Sequence, residues 1–144
     1  MRIPYFIPIA VITLALAGCG GKYVDDKHNF ERAFRTACPK DIEVVHSIYL
    51  KSPHFTEEHE YYFEIKPAAG SDFLRWLTGT PIIIQSPNGL ADVPLYFNLR
   101  PDRPEWFAPD SPTNYDTWYC TNEPFIILRD KQKAEIFVYV SVGM

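Results

Sequence analysis

Phe125-Ile126-Ile127-Leu128-Arg129 and Glu135-Ile136-Phe137-Val138-Tyr139-Val140 stand on either side of Asp130-Lys131-Gln132-Lys133. β-branched and aromatic side chains fill both runs, and the polar tetrapeptide between them suits a turn, so the stretch predicts an antiparallel hairpin. Two further runs alternate upstream. Across residues 42–51, Ile42, Val44, His46, Ile48 and Leu50 share one parity; across 59–66, Tyr61, Phe63 and Ile65 oppose Glu60, Tyr62, Glu64 and Lys66. Each run predicts a strand of a sheet with one wet face, with residues 52–58 as the loop between them. Residues 81–86 and 93–99 predict shorter strands, the second confined by Pro94 to an edge or a strand start. Residues 115–120 read as partly extended.

Two short helices complete the pattern. Asp25 or Asp26 is placed to cap the first, in which Phe30, Ala33, Phe34 and Ala37 fall at i, i+3, i+4 and i+7 while Arg32 and Arg35 face elsewhere. Pro39 stops that helix just after Cys38. Residues 71–78 form the second, with Ser71 as cap, Asp72 in the first turn, Phe73, Leu74 and Leu77 on one face and Trp76 at its edge. The sum is an α+β fold: a single domain over residues 25–144, with an antiparallel sheet of five or six strands and two short helices on one face. A β-sandwich is the alternative, disfavoured by the clean helical stripes.

The N-terminus has a different character. Arg2 is its only charge, and residues 3–16 are apolar apart from Thr13, a run too short to span a bilayer. It closes on Leu16-Ala17-Gly18-Cys19, which resembles the lipobox of bacterial lipoproteins. The resemblance implies that residues 1–18 are a signal peptide, that the Cys19 sulfur carries a diacylglyceryl group, and that the new amine is acylated. Residues 19–24 are then a lipidated tether. Two or more acyl chains anchor a protein stably. Gly rather than Asp at position 20, by analogy with enteric lipoproteins, implies an outer-membrane anchor facing the periplasm.

With 144 residues the chain suits one domain with its own core. Its 14 Lys and Arg against 18 Asp and Glu give a formal charge of −4, which argues against nucleic acid, whose binders carry basic patches. It argues equally against electrostatic docking on anionic lipid, leaving the membrane contact to the lipid anchor. Once Cys19 is lipidated, Cys38 and Cys120 remain, and in an exported chain their simplest fate is one disulfide. A reactive thiol or a metal pair is the alternative, without a Cys-x-x-Cys to support it.

Three groups of residues are candidates for chemistry. His54, Glu57, Glu58, His59 and Glu60 gather imidazoles and carboxylates, the ligand types of zinc, but in no known ligand spacing; a solvated hairpin tip is the plainer reading, and neither metal nor cofactor is expected. Asp102, Glu105, Asp110 and Asp116 lie among prolines and aromatics, where a sugar-binding or hydrolytic cleft has use for paired carboxylates. No nucleophile elbow and no phosphate loop is present, so no enzyme is expected. Trp106, Phe107, Tyr115, Trp118 and Tyr119 are the preferred partner-binding set, because aromatics on a proline-stiffened loop bury much area at low entropy cost. The competing reading packs them down as a lid over the sheet.

Residues 61–66 followed by 72–77, and Pro104-Glu105-Trp106-Phe107-Ala108-Pro109 followed by the last hairpin, resemble recurring features of small bacterial envelope proteins. Some proteins of that build are suspected of neutralising toxins delivered by rival cells. The resemblance implies a lipid-anchored, non-enzymatic protein that holds a protein partner, as an immunity-type inhibitor or an envelope accessory protein. A small cell-wall glycan-binding or hydrolytic module, and a purely structural lipoprotein, are the alternatives.

Overall fold

The computed structural model describes residues 20–52, 58–79, 82–88, 103–107, 114–120, 122 and 124–143. The expected signal peptide (residues 1–18), Cys19, the expected strand at 93–99, and His54, Glu57, Asp102 and Asp110 lie outside them. The strands are β1 (Gly21–Val24), β2 (Ile42–Lys51), β3 (His59–Pro67), β4 (Ile83–Ser86), β5 (Tyr115–Cys120), β6 (Phe125–Asp130) and β7 (Ile136–Val142), with helices α1 (Asn29–Phe34) and α2 (Phe73–Thr78). The α+β class holds, with the sheet dominant.

All seven strands form one antiparallel sheet in the order β1-β2-β3-β7-β6-β5-β4. Two meanders, β1-β2-β3 and β4-β5-β6-β7, meet where β7 pairs with β3. The last hairpin therefore supplies a central strand. Five or six strands were expected; the additional one is β1, from residues assigned to the tether. Gly21-Lys22-Tyr23-Val24 pairs with Leu50 and its neighbours, and the Tyr23 ring lies 6.2 Å from that of Tyr49 opposite it.

β2 also departs from its simple alternation. Its register to β3 shifts between Val44 and His46, and such a bulge moves the following side chains to the other face. Ile42 and Val44 pack under the helices, as does Tyr49 beyond the bulge, whereas Ile48 and Leu50 join the opposite core. The expected common face of Ile42, Val44, His46, Ile48 and Leu50 is thus split.

Nor is one face wet. On the helix face, Phe30 and Phe34 from α1 and Phe73 and Leu77 from α2 cover Tyr61, Phe63, Ile65, Val138 and Val140. On the opposite face, Tyr62, Ile126, Leu128 and Tyr139 are covered by Phe107.

Each helix is short for a local reason. Asp26 Oδ1 accepts the backbone N–H of His28, and the helix begins after it. Arg35 then turns left-handed (φ 56°) and ends α1 at Phe34, a turn earlier than the Pro39 stop. Ala37 and Cys38 lie beyond the helix and are exposed. Asn29, fully buried, donates from Nδ2 to the Tyr23 carbonyl and to Ser47 Oγ, both at 3.0 Å, and its Oδ1 accepts from Arg32, tying α1 to β1 and β2. At α2, Asp72 occupies the N-cap without a side-chain cap bond instead of the first turn; Ser71 before it accepts the Phe73 N–H at Oγ, and the same hydroxyl donates to Asp41 at 2.7 Å.

Candidate functional site: an apolar groove on the helix face

The five aromatics expected to act together are divided by the pleat of the sheet. Phe107 is 0% exposed, with its ring 5.2 Å from Tyr62 and 5.9 Å from Phe137. Tyr115 is buried edge-on to Phe137. Both are core residues, and the lid reading describes them. Trp106 is half-buried and stacks on His46 at 5.4 Å. Tyr119 is half-buried on the same strand as Trp118 but one position along, so the two rings leave opposite faces. Trp118 packs on the helix face, beneath the Arg129 guanidinium.

The loop carboxylates do not assemble either. Asp116 sits on β5 opposite Arg129, accepts two hydrogen bonds from its guanidinium, and has Lys131 Nζ at 4.0 Å. Glu105 is exposed on the short segment that carries Trp106. Among the described residues no three His, Cys, Asp or Glu side chains converge as a metal site, and no helix is long and apolar enough to cross a membrane.

Cys38 and Cys120, the expected disulfide pair, are not joined in the structure. The early end of α1 leaves Cys38 exposed, whereas Cys120 closes β5 and is buried. Partial desolvation and the nearby Glu31 charge hold the Cys38 thiol above the ordinary thiol range, which lowers its reactivity.

What the helix face does contain is a groove. Among the described residues, the two helices cover β2, β3 and β7 and no further element covers the side towards β4, β5 and β6. The resulting apolar groove of about 460 Å³ runs between Phe34, Trp76 and Leu77 above and Ile83, Cys120 and Phe125 in the sheet. Trp76 and Ile82 stand at its rim, 50% and 55% exposed. Trp76 is held by Phe73 and Phe34, at 5.6 and 5.7 Å between ring centroids, so it is a fixed aromatic wall. Its volume falls within the range of ligand sites.

No protein-family model, curated protein or solved structure matches the chain. The groove is therefore read from its own geometry. Sequence reasoning placed Trp76 at the edge of its helical stripe and 81–86 as an apolar strand, the two local signs of this site. It did not bring them together, because α1, β3, α2, β4, β5, β6 and β7 reach the groove from positions 33 to 142.

Next to the groove on the same face is a second concavity of about 370 Å³, lined by Tyr23, Arg32, Arg35, Tyr49, Lys51, Glu58 and His59. His59 borders both. Here the rings of Tyr49 and His59 stack at 5.8 Å and the Arg32 guanidinium lies 4.2 Å from the Tyr23 ring centroid.

Proposed function

We propose that the chain is a non-enzymatic binding protein of the bacterial envelope, anchored by lipid on Cys19, that holds a protein partner by an apolar segment seated in the helix-face groove. The observation that carries this reading is the half-exposed Trp76 fixed at the rim of an open apolar groove. Large apolar side chains left in water at a concave surface mark interaction sites, and a pre-positioned tryptophan loses little entropy on binding. The partner-binding role passes from the Trp106 segment, whose Phe107 belongs to the core, to Trp76 and Ile82. Tethering favours such a role, since it raises the local concentration of the site at the membrane without adding contacts. A hydrolytic reading has less support, because Asp116 is committed to Arg129 and Lys131.

Full-length protein on beads, exposed to solubilised envelope from the producer and from competing cells, tests this. The wild type retains a protein that a Trp76→Ala, Ile82→Ser variant, still folded at the assay temperature, loses, while Trp106→Ala retains it. Loss with Trp106→Ala alone would place the interface on the other face and sink the proposal.

A further inference from the structure

The net negative charge of the chain is not spread evenly. Three of its cations, Arg32, Arg35 and Lys51, line the concavity beside the groove together with His59, and among the described residues Glu58 is the one carboxylate in its lining. Arg32 is partly engaged, 3.1 Å from Asp26 and bonded to Asn29. Arg35 and Lys51 have no ion pair among the described residues. The backbone of Arg35 is left-handed at the end of α1, a conformation that favours glycine. The fold thus keeps an arginine where a glycine caps a helix more comfortably, and the arginine overlooks the pocket. Tyr23 and Tyr49 supply amphipathic rings to its wall.

The position of this pocket matters as much as its charge. Strand registers align Gly21, Lys51, His59 and Val142 across β1, β2, β3 and β7, so these four lie at one end of the sheet. Gly21 is two residues from Cys19, a covalent separation of about 7 Å at most. The end of the sheet that presents the basic pocket is therefore the end attached to the anchor.

We propose that this pocket binds the phosphate headgroup of an anionic membrane lipid and so seats the anchored protein on its own bilayer. Arg35 provides a planar fork for phosphate oxygens and Lys51 a point charge beside it. Tyr23, partly exposed, suits the headgroup level, where rings with one polar end collect. The source of the phosphate follows from the anchor, so this assignment rests on Cys19 bearing lipid. The overall charge of −4 argues against diffuse attraction to anionic lipid but does not oppose a local, concave cation cluster.

Full-length protein purified from the envelope in maltoside micelles provides the test, by calorimetric titration with micelles doped with phosphatidylglycerol, with phosphatidylcholine, or with inorganic phosphate in their place. Phosphatidylglycerol is expected to bind saturably and more weakly as salt rises. Arg35→Gly and Lys51→Gln should each weaken it roughly tenfold. Arg35→Gly should at the same time keep or raise the melting midpoint, since glycine fits the left-handed cap, which separates lost binding from lost folding. Equal binding of the two lipids, or unchanged affinity in both variants, would overturn the proposal. Inorganic phosphate binding as tightly as phosphatidylglycerol would overturn the lipid source. None of these titrations needs lipid on Cys19. The intact mass of the same preparation reads the anchor separately, so failure of the pocket and failure of the anchor are distinguishable.

Discussion

On one face of the sheet Phe107 fills the space between Tyr62, Phe137 and Tyr139 and is cut off from water; on the other, Trp76 reaches over the sheet from α2 and stays half exposed. The same strands supply both floors, and both floors are apolar and aromatic. The difference comes from the cover. Among the described residues, one face receives a plug from residues 103–107 that drops into the core; the other receives two six-residue helices that do not extend over β4, β5 and β6. Whether a sheet face becomes core or site is set by covers distant in sequence, more than by the strands themselves.

The largest expected effect follows from that contrast. Phe107→Ala should destabilise the protein by about 3–5 kcal/mol, the range for deleting a buried aromatic, whereas Trp76→Ala should cost about 1 kcal/mol, as half its surface is already in water. Denaturant midpoints measure both. Equal losses would mean that the groove wall is ordinary core and that the two faces do not differ in kind.

A smaller effect is expected at the joint that holds α1 over the helix face. Asn29→Ala removes the buried amide that bonds the Tyr23 carbonyl and Ser47 Oγ, leaving both without that donor. A loss of about 2 kcal/mol is expected, together with faster amide exchange in β1 and α1 while β6 and β7 keep their protection. Uniform loss across the sheet would show that α1 is not a separable cover.

The smallest effect sharpens the comparison from the other side. Glu64 points to the face of His46, and burial, reinforced by the charge of Glu135, raises its carboxyl above the ordinary range against the opposing pull of His46 and Lys133. The folded state therefore holds that proton more tightly than the unfolded chain, so stability falls as pH rises through the raised pKa and the penalty persists above it. Glu64→Gln should be the more stable protein at neutral pH, by at most ~1 kcal/mol after solvent screening. The gap should close below the carboxylate range. A pH-independent gap would remove Glu64 as its cause.

Much of the sheet was legible because its signal is local. Alternation or β-rich composition marked β2, β3, β5, β6 and β7, and the stripe of Phe30, Ala33 and Phe34 marked α1. What was not legible depended on single backbone events or long-range pairing. The bulge at Val45 reverses the faces of β2 without any glycine or proline to announce it. Left-handed Arg35 ends α1 before Pro39 can, and so separates Cys38 from the helix it was expected to close. β1 is four residues that became a strand because Lys51 and Leu50 were there to pair with. The aromatic cluster around Trp106 looked like one surface because its members are neighbours in sequence. The pleat places Trp118 and Tyr115 on opposite faces. Trp76 and Ile82 form a site only after the chain has folded.

Hydroxyl-radical footprinting of the protein in intact envelopes, set against the purified full-length protein, tests the central claim most directly. Trp76 and Ile82 should be oxidised readily when purified and protected in the envelope, with Trp106 changing little between the two. Protection of Trp106 with Trp76 equally reactive in both states would contradict it, and would move the binding surface to the face sealed by Phe107.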